Sequence, residues 1–388
     1  WVNAIIDTAQ PDRTPLPKSD IRNMLVPIGP VVVFAASNFP LAFSTAGGDT
    51  ASALAAGNPV IMKAHGSHLG TNELVADAIA TAAEKTGMPD GIFSSVQGSG
   101  FLIGQQLVKH SATKSVAFTG SLSGGMALYE TAAKRDEPIP VFAEMGSVNP
   151  VVILPEKLNA GTSDLATLYA GSITLGVGQF CTNPGLLIAI KGDALDQFTS
   201  QLGEAISKIA PATMLNEGIS KSYHNSKEMA LGQDGVELVG AAPTSDIKNG
   251  GNPTVAIVNG KDFISRSKLQ HEVFGPYSLI VACENKVELL QVISKLKGQL
   301  TATVMATDND IEKFSSVINQ LANVVGRLIF NGVPTGVEVT HAMQHGGPFP
   351  ASTDARFTSV GTGAIKRFVR PLAFQDAPKS FLPDELKD

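Results

Sequence analysis

The chain has 388 residues, enough for two or three domains of ordinary size. Apolar residues make up 43% and charged residues 16%, so the chain can build large cores and lacks the composition of a disordered protein. Lys plus Arg is 29 against 35 Asp plus Glu, a net charge of −6 that argues against a general nucleic-acid binder and against a polybasic membrane contact. Two cysteines, Cys181 and Cys283, do not make a disulfide framework and fit a reducing, cytoplasmic compartment. No run approaches the roughly 18 apolar residues of a membrane helix. No basic-then-apolar leader opens the chain, and it starts at Trp1 rather than Met, as a fragment would.

Residues 1–24 are polar and broken by prolines, and read as a connector or a surface strand. From Val26 onward, apolar strands alternate with amphipathic helices. Strands are expected over 31–34, 59–63, 93–96, 115–118, 141–144 and 150–154. Helices are expected over 45–56, 71–86 and 103–110, and from about Gly124. Gly87 stands just past the second of these, where a left-handed cap favours glycine. After Pro155 the expected order is helix 164–175, strand 186–190, helix 194–208, strand 277–281, helix 287–296, strand 301–306, helix 311–320 and strand 327–330. Residues 340–363 read as a long loop, and 368–374 as an apolar segment before a polar end. Short, continuously apolar strands between helices imply parallel sheets covered on both faces, hence an α/β fold with doubly wound sheets.

Several residues have the chemistry for a site. Cys181 follows Leu175-Gly-Val-Gly-Gln-Phe and precedes Thr-Asn-Pro, a loop where a thiol can meet a ligand. A small buried apolar side chain is the other reading, and for Cys283, at a strand end, it is the stronger one. Glu144 ends the run Val141-Phe142-Ala143, at the strand end where doubly wound folds place active sites; a solvated strand-end carboxylate fits equally. Asn38 carries an amide suited to an oxyanion, or simply forms a turn before Phe39-Pro40. Lys63 ends a strand before Ala64-His65-Gly66, as a ribose or phosphate contact or as a surface lysine. Gly120-Ser121 lies between a strand and a helix, where backbone N–H groups favour phosphate, although the Gly-x-Gly-x-x-Gly fingerprint is missing. Glu272-Val-Phe274-Gly-Pro276 is a plain turn or presents a carboxylate to a ligand. His65, His68, His271, His341 and His345 form no metal-binding spacing, so no metal is expected.

Together these stretches resemble the aldehyde dehydrogenase superfamily. Its motifs appear in order as Ser37-Asn38-Phe39-Pro40, Gly57-Asn58-Pro59-Val60-Ile61-Met62-Lys63, Phe118-Thr119-Gly120-Ser121, Glu144-Met145-Gly146 with Asn149-Pro150, Gly178-Gln179-Phe180-Cys181 and Glu272-Val273-Phe274-Gly275-Pro276. The resemblance implies two doubly wound α/β domains, one cofactor-binding and one catalytic, plus oligomerisation segments. On it, residues 1–26 are a connector or oligomerisation segment and 27–145 the NAD(P)-binding domain. Residues 146–345 are then the catalytic domain, and 346–388 a C-terminal loop and oligomerisation tail. The family's N-terminal stretch, on the order of a hundred residues, is expected to be missing.

The resemblance makes Cys181 the nucleophile that forms a thiohemiacetal and then a thioester. The Asn38 amide and the Cys181 N–H become the oxyanion donors, and Glu144 the base that activates water. Lys63, His65, Gly66, Gly120, Ser121, Glu272 and Phe274 become cofactor contacts. Where many NAD-preferring relatives carry a glutamate, this chain has Gly66, so no carboxylate repels a 2′-phosphate and NADP is expected, with NAD as a second cofactor. Within the superfamily the pattern is most similar to bacterial α-ketoglutarate semialdehyde (2,5-dioxopentanoate) dehydrogenases, implying 2-oxoglutarate as product. NADP-dependent fatty or other aldehyde dehydrogenases, a coenzyme A-releasing relative and an inactive truncated binding or assembly protein remain alternatives. Arg356 is a candidate anchor for a substrate carboxylate, or a surface arginine. A small-molecule aldehyde is the expected partner, without nucleic acid or membrane, in a homodimer or homotetramer.

Overall fold

The structure, a computed structural model, describes residues 3–98, 100–244 and 246–388; Trp1, Val2, Ser99 and Ser245 lie outside the described residues. The chain divides into two compact units. One runs to Thr119 and also takes Met126–Phe142 and Ser359–Asp388. The other comprises Gly120–Gly125 and Ala143–Thr358.

In the first unit the central strand Val31–Phe34 is buried along its whole length, which is why its sequence is apolar without alternation. Strands follow the order Phe93–Val96, Val60–Lys63, Val31–Phe34, Ser115–Thr119, Val141–Glu144, and the pairings among the first four are parallel. Val31, Val33, Val60, Met62 and Ala117 make the core with Ala53 and Phe368. The helix expected from Thr45 starts only at Gly48, because the preceding residues turn back on themselves through Ala36 N–H to Phe43 O and Gly48 N–H to Ala42 O. The proline-broken N-terminal segment supplies Ile5–Asp7 and Ile21–Pro27 to a small antiparallel sheet. Its third strand, Val369–Gln375, is the apolar segment near the C-terminus.

The second unit holds a seven-stranded sheet in the order Glu237–Ala241, Thr254–Asn259, Tyr277–Cys283, Leu186–Ile190, Val151–Ile153, Gln299–Met305, Val325–Phe330. All its pairings are parallel except that of the edge strand Glu237–Ala241. Alternate residues feed two cores. Val151, Ile153 and Leu187 pack with Tyr169, Ile173, Leu195 and Phe198 of the helices Thr162–Thr174 and Asp193–Ser207. Val152, Leu186 and Ile188 pack with Leu289, Val292, Val317 and Leu321 of Lys286–Lys295 and Ser315–Ala322. A sheet covered on both faces is the doubly wound arrangement.

Two expectations need correction. The helix expected over 311–320 is two helices, Asp308–Lys313 and Ser315–Ala322, broken at Phe314, with the first held by a capping box between Thr307 and Asp310. Between Lys208 and Tyr277 the chain also carries the helix Glu217–Leu231 and the strands Glu237–Ala241 and Thr254–Asn259, which the sequence reading does not assign, although Val255-Ala-Ile-Val258 is itself an apolar run. No described helix is long and apolar enough to cross a membrane.

Candidate active site

The loop that carries Cys181 is built from unusual backbone. Gly176, Val177 and Gly178 all have positive φ, at 57°, 57° and 64°. Gly178 must be glycine, because a Cβ there would lie 2.2 Å from the Gly275 carbonyl carbon. Val177 holds a β-branched side chain in the left-handed region, a conformation that costs on the order of 1–3 kcal/mol and needs surrounding structure to hold it.

Asn149 provides part of that structure. It is 1% exposed, and its amide donates to the carbonyls of Cys181 (2.8 Å) and Asn183 (3.0 Å). Its own carbonyl oxygen accepts from Thr301 Oγ1 at 3.0 Å and lies 2.9 Å from Ser147 Oγ. Gln299 Oε1 completes the network, accepting from Val148 N–H at 2.7 Å. Thr182 Oγ1, one residue past the thiol, accepts from Gly336 N–H at 3.3 Å. Strand, loop and thiol are therefore locked by buried hydrogen bonds, each costly to break without a replacement.

Cys181 Sγ lies 3.6 Å from His345 Nε2, which lies 3.0 Å from Glu144 Oε1. One imidazole nitrogen thus reaches both the sulfur and the carboxylate, and the three groups fall within 4.8 Å of one another. The side chains of His345 and Glu144 are 1% and 7% exposed, and Cys181 is partly exposed. Burial works against a protonated His345, but the adjacent Glu144 carboxylate and the Cys181 sulfur outweigh it and raise the imidazole pKa. Burial raises the Cys181 thiol, His345 pulls it down and Glu144 pushes it up. Sulfur, imidazole and carboxylate thus form a short path for moving the thiol proton.

Nearby, burial pushes the Glu272 carboxyl up to about 7 against a backbone hydrogen bond from Ser147. Glu272 and Phe274 line a cavity of about 20 Å³, roughly the room for one water. Gly146 leaves space for the carboxylate, since a Cβ there would lie 2.5 Å from Glu272 Oε2. Gly120 and Ser121 are exposed at the start of the helix Leu122–Ala133. Gly120 N–H donates to Glu144 O at 3.1 Å, and Ser121 Oγ accepts from Gly124 N–H at 3.2 Å.

The first unit carries the remaining sequence candidates. Asn38 is half-buried in the turn after Val31–Phe34. Lys63 is 8% exposed; its Nζ donates to Ala64 O at 2.8 Å, and burial lowers its pKa. Burial, with the charges of His68 and Lys63, pulls His65 down to about 4. At Gly66 a Cβ would meet no atom within 4 Å, so the backbone there faces open space.

Sequence reasoning missed His345. It stood only among histidines without metal spacing, and nothing local ties it to Glu144 or Cys181. Of the two readings of Arg356 the structure shows the surface arginine: its side chain is 80% exposed and forks onto Asp354, the geometry of a surface ion pair. Cys283 is fully buried at its strand end, its thiol pushed up to about 12 by burial.

Comparisons with known proteins agree with this geometry. The model of the aldehyde dehydrogenase family matches residues 1–357. The chain is 51% identical to α-ketoglutaric semialdehyde dehydrogenase 2 of Azospirillum brasilense, covering 100% of this chain and 74% of that protein. It is 48% identical to α-ketoglutaric semialdehyde dehydrogenase of Acinetobacter baylyi, with the same two coverages. Among solved structures, the glyceraldehyde-3-phosphate dehydrogenase of Methanocaldococcus jannaschii complexed with NADP shares the fold, with a TM-score of 0.77 at 18% identity, covering 97% of this chain and 76% of that one. The ordered motifs, the two-unit α/β architecture and these matches establish that the chain belongs to the aldehyde dehydrogenase family of NAD(P)-dependent oxidoreductases.

Proposed function

We propose that the chain oxidises 2,5-dioxopentanoate (α-ketoglutarate semialdehyde) to 2-oxoglutarate, with NADP as the preferred cofactor and Cys181 as the nucleophile. The observation that supports the chemistry best is the placement of His345 Nε2 between Cys181 Sγ and Glu144 Oε1. The substrate is inferred from the 51% and 48% identity to semialdehyde dehydrogenases.

As the Cys181 sulfur bonds to the aldehyde carbon, the thiol proton passes by way of His345 to Glu144. Negative charge gathers on the former carbonyl oxygen, and the positive His345 ring lowers the energy of that charge in a buried site. The Asn38 amide and the Cys181 N–H are the oxyanion donors that the family resemblance assigns. The chemistry NADP supplies when bound is hydride acceptance, which turns the thiohemiacetal into a thioester. Glu144 gives the thiol's proton up to solvent before hydrolysis, and then takes a proton from the water that attacks the thioester carbon; collapse expels the Cys181 thiolate, which recovers that proton from Glu144, and the acid formed leaves as the carboxylate. A hydrolytic base of this kind makes coenzyme A unnecessary as acceptor.

Lys63, His65 and Gly66 would hold the adenosine end, Gly120 and Ser121 the pyrophosphate, and Glu272 and Phe274 the nicotinamide ribose. The open space at Gly66 fits an added 2′-phosphate, because neither a side chain nor a carboxylate fills it. A homo-oligomer paired through the outer edge of Val369–Gln375 is part of the same reading, checked by light scattering.

The test is NADPH formation and 2-oxoglutarate release from the semialdehyde without coenzyme A. Cys181→Ala abolishes both; turnover in that variant would eliminate the mechanism. Glu144→Gln slows the first burst of NADPH, because the thiol proton loses its acceptor, and then stalls before product release; an unchanged steady state would remove Glu144 as the base.

A further inference from the structure

Arg327 sits in the edge strand Val325–Phe330, half-buried, and pairs with no carboxylate among the described residues. Its guanidinium turns onto the loop that follows. Nη2 donates to Pro334 O and Gly336 O, both at 3.1 Å, and Nη1 lies 3.9 Å from Met343 Sδ. Nε is buried with no hydrogen-bond partner. An uncompensated, partly desolvated cation with an unused donor is an expensive feature to keep, and a bound anion is what relieves it.

Two chains of contacts tie this guanidinium to the catalytic trio. Gly336, which holds Nη2 through its carbonyl, donates its N–H to Thr182 Oγ1, one residue from Cys181. Met343, beside Nη1, shares Thr358 Oγ1 with His345: the hydroxyl donates to Met343 O at 3.4 Å and accepts from His345 N–H at 3.0 Å. Burial lowers the guanidinium's pKa, and the group that opposes this is Cys181, with no carboxylate contributing.

We propose that Arg327 is the specificity-determining cation that receives the carboxylate of the substrate while Cys181 attacks its aldehyde end. The site is then built for short acids that carry a terminal aldehyde. In 2,5-dioxopentanoate the aldehyde and carboxylate carbons are four bonds apart, about 5 Å when extended. With Nη2 held by the two carbonyls and Nε buried, Nη1, whose one described neighbour is Met343 Sδ, is the donor left to receive a carboxylate, whereas Arg356 has already spent its fork on Asp354. This inference rests on the proposed oxidation for its substrate, but not for its test.

The experiment has two readouts on wild type, Arg327→Met and Arg327→Lys, each checked for folding by thermal melting. The first is the ratio of kcat/KM for 2,5-dioxopentanoate to that for pentanal, a neutral aldehyde of the same length. Arg327→Met is expected to lower this ratio about 100-fold, chiefly through KM, and Arg327→Lys about 10-fold. A parallel loss on both substrates would reduce Arg327 to a clamp for the loop and overturn the proposal. The second is protection of the Cys181 thiol from iodoacetamide by 2-oxoglutarate, which needs no turnover. Protection in wild type that vanishes in Arg327→Met supports the anchor. Equal protection in both, or none in either, overturns it. Should wild type oxidise pentanal but not the semialdehyde, the substrate reading fails, and the protection assay still decides the role of Arg327.

Discussion

Replacing His345 with glutamine tests the trio most directly, because it removes a charge while keeping a hydrogen-bonding side chain of similar reach. His345 Nε2 and Glu144 Oε1 are 3.0 Å apart and almost fully buried. At an effective dielectric near 20, unit charges at that separation attract by on the order of 5 kcal/mol. Breaking one side of such a buried pair costs about 3–5 kcal/mol, since the other charge stays behind without compensation. The linkage sign follows from the raised imidazole pKa: the contribution is complete below the ordinary value of 6.5 and is lost as the pH rises through the raised value. His345→Gln is therefore expected to be less stable than wild type by about 3 kcal/mol near pH 6, with the gap narrowing above pH 9. Urea unfolding at several pH values measures it. The same substitution removes the hydrogen bond that lowers the Cys181 pKa, so iodoacetamide should alkylate the variant about ten times more slowly near pH 8. A stability gap independent of pH, together with an unchanged alkylation profile, would refute the claim that His345 is a charged partner of both groups.

Asn149→Ala removes the donors to the Cys181 and Asn183 carbonyls, and is expected to cost about 2–4 kcal/mol and to lower kcat; a shift in the urea midpoint alongside steady-state kinetics checks both. Gly66→Glu meets no atom within 4 Å of its Cβ, so it should fold normally while moving the NADP/NAD preference at least about tenfold toward NAD, read as the ratio of the two kcat/KM values. The Glu272 carboxyl is raised to about 7 from an ordinary 4.5, so ionising it costs stability as the pH climbs between these values. Glu272→Gln should flatten stability over that window and remove any limb near pH 7 from the rate profile; a profile identical to wild type would assign the limb to another group.

Most of the frame was legible where buried strands are continuously apolar, although Thr254–Asn259, nearly as buried, went unassigned. Val31–Phe34, Val60–Lys63 and Leu186–Ile190 are covered on both faces, so physical chemistry leaves them nothing but apolar residues, and such runs announce themselves. Glu217–Leu231 lies at the opposite extreme. It buries only Ser220, Tyr223 and Ala230, so its apolar stripe is too thin to register, although Asn216 caps it by accepting from Ile219 N–H. The site divides along the same line. Cys181, Glu144 and the Gly178 turn were readable because each is fixed by neighbours in sequence: a strand end, a glycine bend, an Asn-Pro block. His345 and Arg327 are not. His345 lies in a loop with no period at all, and what makes it significant is a carboxylate delivered by a distant strand. Arg327 and Arg356 carry the same charge near the same loop; the sequence offered Arg356 as an anchor or a surface arginine and gave no reason to single out Arg327. What separates them is solvent. Arg356 spends its fork on Asp354 in water, where the pair is worth little, whereas Arg327 is half-buried and pairs with no described carboxylate. Desolvation is a property of the folded chain, which is why an anion-binding arginine can be told from a surface arginine only after the fold is known.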